Sequence, residues 1–147
     1  MNAAFSEIPK LKEITRVEKI TAGWSFDEKY YVEQSNGDKF VLRLTPADKL
    51  ESKQREYEIV ALLNQLDFQM SKVVGNGLLR DKSYMLYTWV EGRDFRDVIF
   101  SLPEEEQFSL GVQAGKMLKA MHTLPVEDKH IPKTNKIPKK IRQLRLY

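Results

Sequence analysis

The residue most suited to chemistry is an arginine in an apolar setting. Residues 39–46 read KFVLRLTP, and the alternation of a strand places Phe40, Leu42 and Leu44 on one face and Val41, Arg43 and Thr45 on the other. A guanidinium does not shed its proton, so Arg43 in a central strand must meet water, a carboxylate or a bound anion. Glu56 follows on a segment with helical spacing and could supply the carboxylate. Taken alone, Arg43 reads first as an arginine at a sheet edge paired to a surface acid and only second as a phosphate ligand, and Glu56 as a solvated helix charge or an intrahelical partner of Lys53. Their functional roles stand or fall together.

Other reactive groups are few. The chain has no cysteine and two histidines, which excludes disulfides, thiolate catalysis and cysteine-based zinc sites and disfavours a dedicated metal site. His122 suits the end of a helix, where the dipole favours it, better than it suits a general base. The acids at 104–106 fall in the first turn of a helix, a position that favours negative charge without a metal. Gly111 and Gly115, one turn apart, predict close packing against a neighbour.

The elements that must position Arg43 follow from pattern. A helix is expected near residues 6–13 with Ser6 as cap, then a strand at 14–22, a turn at 23–27 and a second strand at 29–34. Asn36-Gly37 predicts a type I′ hairpin, both residues tolerating positive φ. That hairpin returns the chain into the strand of Arg43. Thr45, Pro46 and Asp48 form a start signal for a helix running to about Leu66, with Tyr57, Val60, Leu63 and Leu66 at helical spacing. Strands at 72–79 and 83–90 join through a polar turn at 80–82. A short helix near 95–100 and a long one near 103–122 follow, the latter opened by a capping box of Ser101 and Glu104, with Leu110, Ala114, Leu118 and Met121 as its apolar stripe. Residues 139–146 are a further candidate helix. Strands linked by tight turns imply an antiparallel sheet with a single helix covering one face, an α+β architecture. Trp24, Trp89 and the tyrosines at 30, 31, 84 and 87 are read as packing residues.

Composition sets the bounds. The 147 residues are 41% hydrophobic and 31% charged, the balance of a soluble globular chain, and no apolar run reaches the roughly 20 residues of a membrane span. No secretory signal is seen at the start, so a cytoplasmic location is expected. The net charge is +3, but residues 129–147 carry seven lysines and arginines and no acid. The basic excess therefore belongs to the tail. No aromatic and basic groove pattern accompanies it, which argues against nucleic acid as partner.

The order of elements, with the segments FVLRL, REYEIVALL, YMLYTWVEG and AGKMLKAMHTLP, resembles the aminoglycoside phosphotransferase family, small-molecule kinases with a protein-kinase-like fold. The resemblance covers roughly residues 14–125. It implies an N-lobe at 1–90, with a five-stranded antiparallel sheet and one covering helix, a hinge at 91–93, and the first helices of a truncated C-lobe at 94–147. By similarity, Arg43 meets the phosphates of ATP or GTP and Glu56 steers it. Lysine is the commoner residue at the position of Arg43. Val41 roofs the base, the Thr88 carbonyl and Val90 amide read its edge, and Gly23 and Ser25 belong to a turn over the phosphates, with only one glycine of the usual glycine-rich pattern. The family's histidine-glycine-aspartate run and later metal-binding aspartate are absent. The resemblance therefore implies a kinase acting on a small-molecule hydroxyl such as that of an aminoglycoside, with Mg2+ held by residues not in this chain. The 147 residues alone are expected to be inactive. The alternative is a non-catalytic nucleotide-binding module, self-associating through the exposed stripe of the long helix. The acceptor substrate is left open.

Overall fold

The computed structural model describes residues 2–23 and 25–125. In chain order they form α1 (Asn2–Phe5), β1 (Ile14–Ile20), β2 (Glu28–Gln34), β3 (Lys39–Pro46), α2 (Leu50–Leu63), β4 (Val73–Leu79), β5 (Lys82–Thr88), α3 (Phe95–Val98) and α4 (Glu104–Met121). All five strands join one antiparallel sheet in the order β1-β2-β3-β5-β4. The α+β expectation holds. β3 lies at the centre, between β2 and β5, so its alternation decides what each face of the sheet presents.

One face is the hydrophobic core. Val32, Leu42 and Leu86 are fully buried there, with Tyr30, Phe40, Leu44 and Tyr84 beside them. The cover for this face is the N-terminal segment, through Phe5, Ile8 and Leu11. The Phe5 ring meets Tyr30 edge-on at 5.1 Å between centroids. The helix expected at residues 6–13 is not formed: α1 ends at Phe5 and the chain continues through turns. Its apolar side chains reach the sheet from successive turns three residues apart, in which Ile8 N donates to Phe5 O and Leu11 N to Ile8 O. The strap is tied to β2 by Gln34, whose Oε1 accepts from the Lys12 amide at 2.8 Å and whose Nε2 donates to the Lys10 carbonyl at 3.3 Å.

The second face carries Val41 and Arg43 and packs against α2. Asn64, just past α2, holds that helix to the sheet. Its Oδ1 accepts from Val73 N at 2.8 Å, and its Nδ2 donates to the Ser71 carbonyl at 3.1 Å. Thr45 does not cap the helix as expected. It stays in β3, buried, with its hydroxyl 2.6 Å from that of Ser83 on β5. A single 3-10 turn at Ala47–Lys49 precedes α2, and Asp48 makes no capping hydrogen bond there.

Other local signals resolve differently. The hairpin between β2 and β3, closed by Gln34 N donating to Asp38 O at 3.0 Å so that residues 35–37 form its loop, is not type I′: Asn36 has no positive φ, and only Gly37 is left-handed, at φ 86°. The Gly37 amide donates to the Gln34 carbonyl at 3.0 Å. This is a three-residue loop in which glycine alone carries the unusual backbone. A Cβ at Gly37 would meet nothing within 4 Å, so Gly37→Ala is expected to cost only the left-handed backbone penalty, about 1–2 kcal/mol, readable as a shift in urea midpoint with unchanged slope. The two-residue turn between β4 and β5 puts Arg80 at φ 57°.

Asp94 caps α3, its carboxylate accepting from Arg96 N at 2.9 Å. Hydrogen bonds from Arg96 hold that carboxyl down at about 2. The capping box proposed for α4 is absent: Pro103 occupies the N-cap position, and the Ser101 hydroxyl donates to Val98 O at 2.7 Å. A serine this close to a preceding turn finds a carbonyl there before it finds the amides of the next helix. On α4, Leu110 and Met121 are half-buried, whereas Ala114 and Leu118 are exposed. A Cβ at Gly111 or Gly115 would meet no atom within 4 Å, so the close packing expected there does not occur among the described residues. The candidate helix at 139–146, the basic tail and Trp24 lie outside the described residues.

Candidate functional site

Arg43 meets carboxylates, and two of them. Its Nη1 donates to Glu56 Oε1 at 2.6 Å, and its Nε donates to Asp27 Oδ2 at 2.9 Å, with Nη2 bonded to the same oxygen. Lys53, one turn before Glu56 on α2, donates to Glu56 Oε2 at 2.8 Å and to Asp27 Oδ2 at 3.0 Å. Two cations and two carboxylates thus close into a ring. Its side chains retain 23% (Arg43), 14% (Lys53), 11% (Asp27) and 35% (Glu56) of their accessible surface, a depth at which ion pairing is weakened by water but not abolished.

The sequence places these groups for separate reasons. Alternation in β3 sends Arg43 to the face opposite Leu42 and Leu44. On α2, the spacing of Lys53 and Glu56 puts both on one side of the helix. Asp27 is the residue before β2, at the end of the turn that leaves β1. The Arg43–Glu56 pair expected from the sequence is present, and so is the Lys53–Glu56 pair, because Glu56 gives one oxygen to each. Sequence reasoning missed Asp27. The only signal for it was an acid in a turn opposite a strand cation.

Burial works to raise the Asp27 carboxyl and the hydrogen bonds from Lys53 and Arg43 work to lower it; the latter prevail, and the group sits below the ordinary aspartate range. Burial alone would lower the Arg43 guanidinium, but Glu56 and Asp27 reverse this and hold it above its usual value. Because the folded-state pKa of Asp27 is below the unfolded value of about 3.9, the stabilisation is fully present above that value and is lost as pH falls through the folded one. Wild-type chain is therefore expected to lose more thermal stability between neutral pH and the range below about pH 4 than Asp27→Asn does, measured as melting midpoints across pH.

The neighbours of the ring are aromatic. The guanidinium lies 5.9 Å from the centroid of Tyr87, whose buried phenol is pushed up to about 12, by burial first and then by Glu56. Tyr87 faces Val41 across the β3–β5 pairing, and Tyr31 faces Val41 from β2. Val41 is half-buried. Tyr31 in turn meets Trp89 edge-on at 5.0 Å. Of the tyrosines, Tyr30, Tyr84 and Tyr87 are buried, so the packing role assigned to them stands.

Past β5 the chain leaves the sheet. The Thr88 amide donates to Lys72 O and the Trp89 amide to Lys39 O, each at 2.9 Å; the Thr88 hydroxyl accepts from Lys72 N at 2.9 Å. Val90 is exposed. Lys39 and Glu91 pair at 2.6 Å and tie this segment to the start of β3. A depression of about 340 Å³ opens here, lined by Ile20, Tyr31, Lys39, Trp89 and Glu91 among others. In the turn between β1 and β2, Gly23 is left-handed at φ 101° and Ser25 is exposed. One face thus carries Asp27, Arg43, Val41 and Tyr87, whereas Thr88, paired with Phe40, turns its side chain to the other. His122 is remote in sequence from all of these and caps the C-terminus of α4. Among the described residues no group of three His, Cys, Asp or Glu could hold a metal ion, and no helix is long and apolar enough to cross a membrane.

Comparison with solved structures shows the same fold in kinases. A protein described as a fructosamine-3-kinase, from Haemophilus somnus 129PT, superposes with a TM-score of 0.51 at 15% identity, covering 67% of this chain and 34% of that one. Rad53 (residues 1–466, in complex with AMP-PNP) superposes with a TM-score of 0.57 at 18% identity, covering 76% of this chain and 31% of its own. The chain therefore spans about a third of the length of either structure. No curated protein matches it significantly. A sequence profile of the phosphotransferase enzyme family matches residues 16–145, a span that includes the whole sheet from Arg16, the ring of Arg43, Lys53, Asp27 and Glu56, and both later helices. With the protein-kinase-like sheet and that match across most of its length, the chain belongs to the phosphotransferase enzyme family.

Proposed function

We propose that these residues are the nucleotide-binding part of an ATP- or GTP-dependent phosphotransferase whose acceptor is a hydroxyl of a small molecule such as an aminoglycoside. The observation that carries the reading is the 2.6 Å pair between Arg43 on β3 and Glu56 on α2. A strand cation steered by a helical carboxylate is the arrangement by which kinase folds present charge to a nucleotide's phosphates. In this reading the planar fork of Arg43 grips phosphate oxygens. Val41 covers the base, the Thr88 carbonyl and Val90 amide read its edge, and Ser25 in the turn after Gly23 approaches the phosphates from the other side.

Magnesium accompanies the nucleotide in such chemistry and neutralises its phosphates. Among the described residues no group of three His, Cys, Asp or Glu is placed to hold a metal ion. The 147 residues also contain no histidine-glycine-aspartate run. A missing general base costs on the order of 10²- to 10⁴-fold in rate, and the chain alone is expected to bind nucleotide without transferring phosphate.

The test is calorimetric titration of the 147-residue chain with ATP and with GTP, alongside an assay for phosphate transfer to an aminoglycoside. Saturable binding of one nucleotide per chain without turnover is expected. Absence of saturable binding at millimolar nucleotide would overturn the reading. Phe100, Phe108 and Leu118 are exposed and favour a second reading in which the chain is a self-associating, non-catalytic module. Sedimentation that shows a monomer at all concentrations would exclude it.

A further inference from the structure

One oxygen in the ring does more than a single ion pair requires. Asp27 Oδ2 accepts from Arg43 Nε, Arg43 Nη2 and Lys53 Nζ together. Three cationic donors converging on one oxygen is the environment suited to a phosphate oxygen. The carboxylate that fills it comes from the turn between β1 and β2; among the described residues of that turn, Lys29 Nζ donates to the Ala22 carbonyl, while Ser25 and Phe26 are exposed. Lys53 is buried as deeply as its neighbour Arg43 and shares both of its partners.

We propose that Lys53 is a second phosphate-binding cation beside Arg43, and that Asp27 is a placeholder whose carboxylate occupies the phosphate position until nucleotide displaces it. The proposal rests on the nucleotide-binding reading above. Glu56 makes the exchange workable. Its Oε1 holds Arg43 and its Oε2 holds Lys53, so both cations stay aimed when Asp27 departs. Asp27 is ionised at neutral pH and competes as an anion. With it gone, two cations face one carboxylate, and the excess positive charge is matched by a phosphate group. Adenosine, which carries no phosphate, gains nothing from the exchange.

The experiment is titration of the full 147-residue chain with ATP and adenosine, for wild type, Asp27→Asn, Asp27→Ala, Lys53→Gln, Lys53→Arg and Arg43→Ala, with a melting curve for each. Two substitutions at Asp27 are compared so that a folding defect in one does not mask the effect. Freed of its competing carboxylate, the Asp27 variants should bind ATP about tenfold more tightly, and Lys53→Gln about tenfold more weakly, each change reflecting one charge-assisted interaction. Lys53→Arg should restore most of the affinity, and adenosine affinity should not move. If Arg43→Ala loses ATP while the Asp27 variants bind it no more tightly, or Lys53→Gln binds it unchanged, the ring is a structural ion network and the placeholder is refuted with nucleotide binding intact. If wild type binds no ATP, or Arg43→Ala binds it as wild type does, the nucleotide reading itself fails and this proposal with it.

Discussion

A chain lacking residues 1–11 is expected not to fold. Phe5, Ile8 and Leu11 are each at most 4% exposed, and together they are the cover over Val32, Leu42 and Leu86. Burying three such side chains is worth about 5–9 kcal/mol in all. That figure is an upper estimate, since unfolded chains already bury some apolar surface. It is still comparable with the whole stability of a typical domain, about 5–15 kcal/mol. Removing the strap also bares the central strands on their most apolar side, which invites aggregation. Far-ultraviolet circular dichroism and urea titration check this: loss of the cooperative transition is expected for the deletion. For Ile8→Ala, a lowered midpoint corresponding to about 2–5 kcal/mol is expected. A deletion variant that unfolds at the wild-type midpoint would show that the strap is dispensable.

Arg43→Ala is expected to lower ATP affinity on the order of 10- to 100-fold without unfolding the protein. Hydrogen bonds to a charged group contribute about 1.5–3 kcal/mol, and the planar fork offers a phosphate more than one. The net loss is smaller than their sum, because the guanidinium already satisfies Asp27 and Glu56 before nucleotide arrives. Loss of fold is not expected, because Lys53 still bonds both carboxylates and no buried acid is left wholly unpaired. Arg43→Lys should fall between wild type and alanine: the charge is kept, but the fork that matches paired oxygens is lost. Calorimetry with ATP, and a melting curve for each variant, separates binding from stability. An affinity unchanged in Arg43→Ala would remove the cation from any role in nucleotide binding.

The acid dependence of the ring follows the same electrostatics. Its contribution persists through neutral pH and disappears only when Asp27 takes up a proton. Salt should weaken the ring only in part, since its members are partly buried.

The sequence by itself determined the order of strands and helices and the two faces of β3. A period of two is legible wherever an apolar residue alternates with something else, and Phe40, Leu42 and Leu44 obey it. It also determined that Arg43 needed a partner, because a guanidinium stays charged, and it pointed to Glu56. Element boundaries were less legible. Thr45 and Ser101 look like caps by composition, but each hydroxyl found a closer acceptor or donor in the folded chain, at Ser83 and at Val98.

Only the tertiary structure decided what covers the core and what closes the ring. Phe5, Ile8 and Leu11 recur every three residues, a spacing that suggested a helix, but successive turns bring them to the sheet, Ile8 N donating to Phe5 O at 3.0 Å and Leu11 N to Ile8 O at 2.9 Å. Asp27 lies 16 residues from Arg43 and 26 from Lys53, and no local periodicity links the three. They meet because antiparallel pairing folds β2 back along β3 while α2 packs over the same face, a long-range condition that propensity and spacing along the chain do not encode.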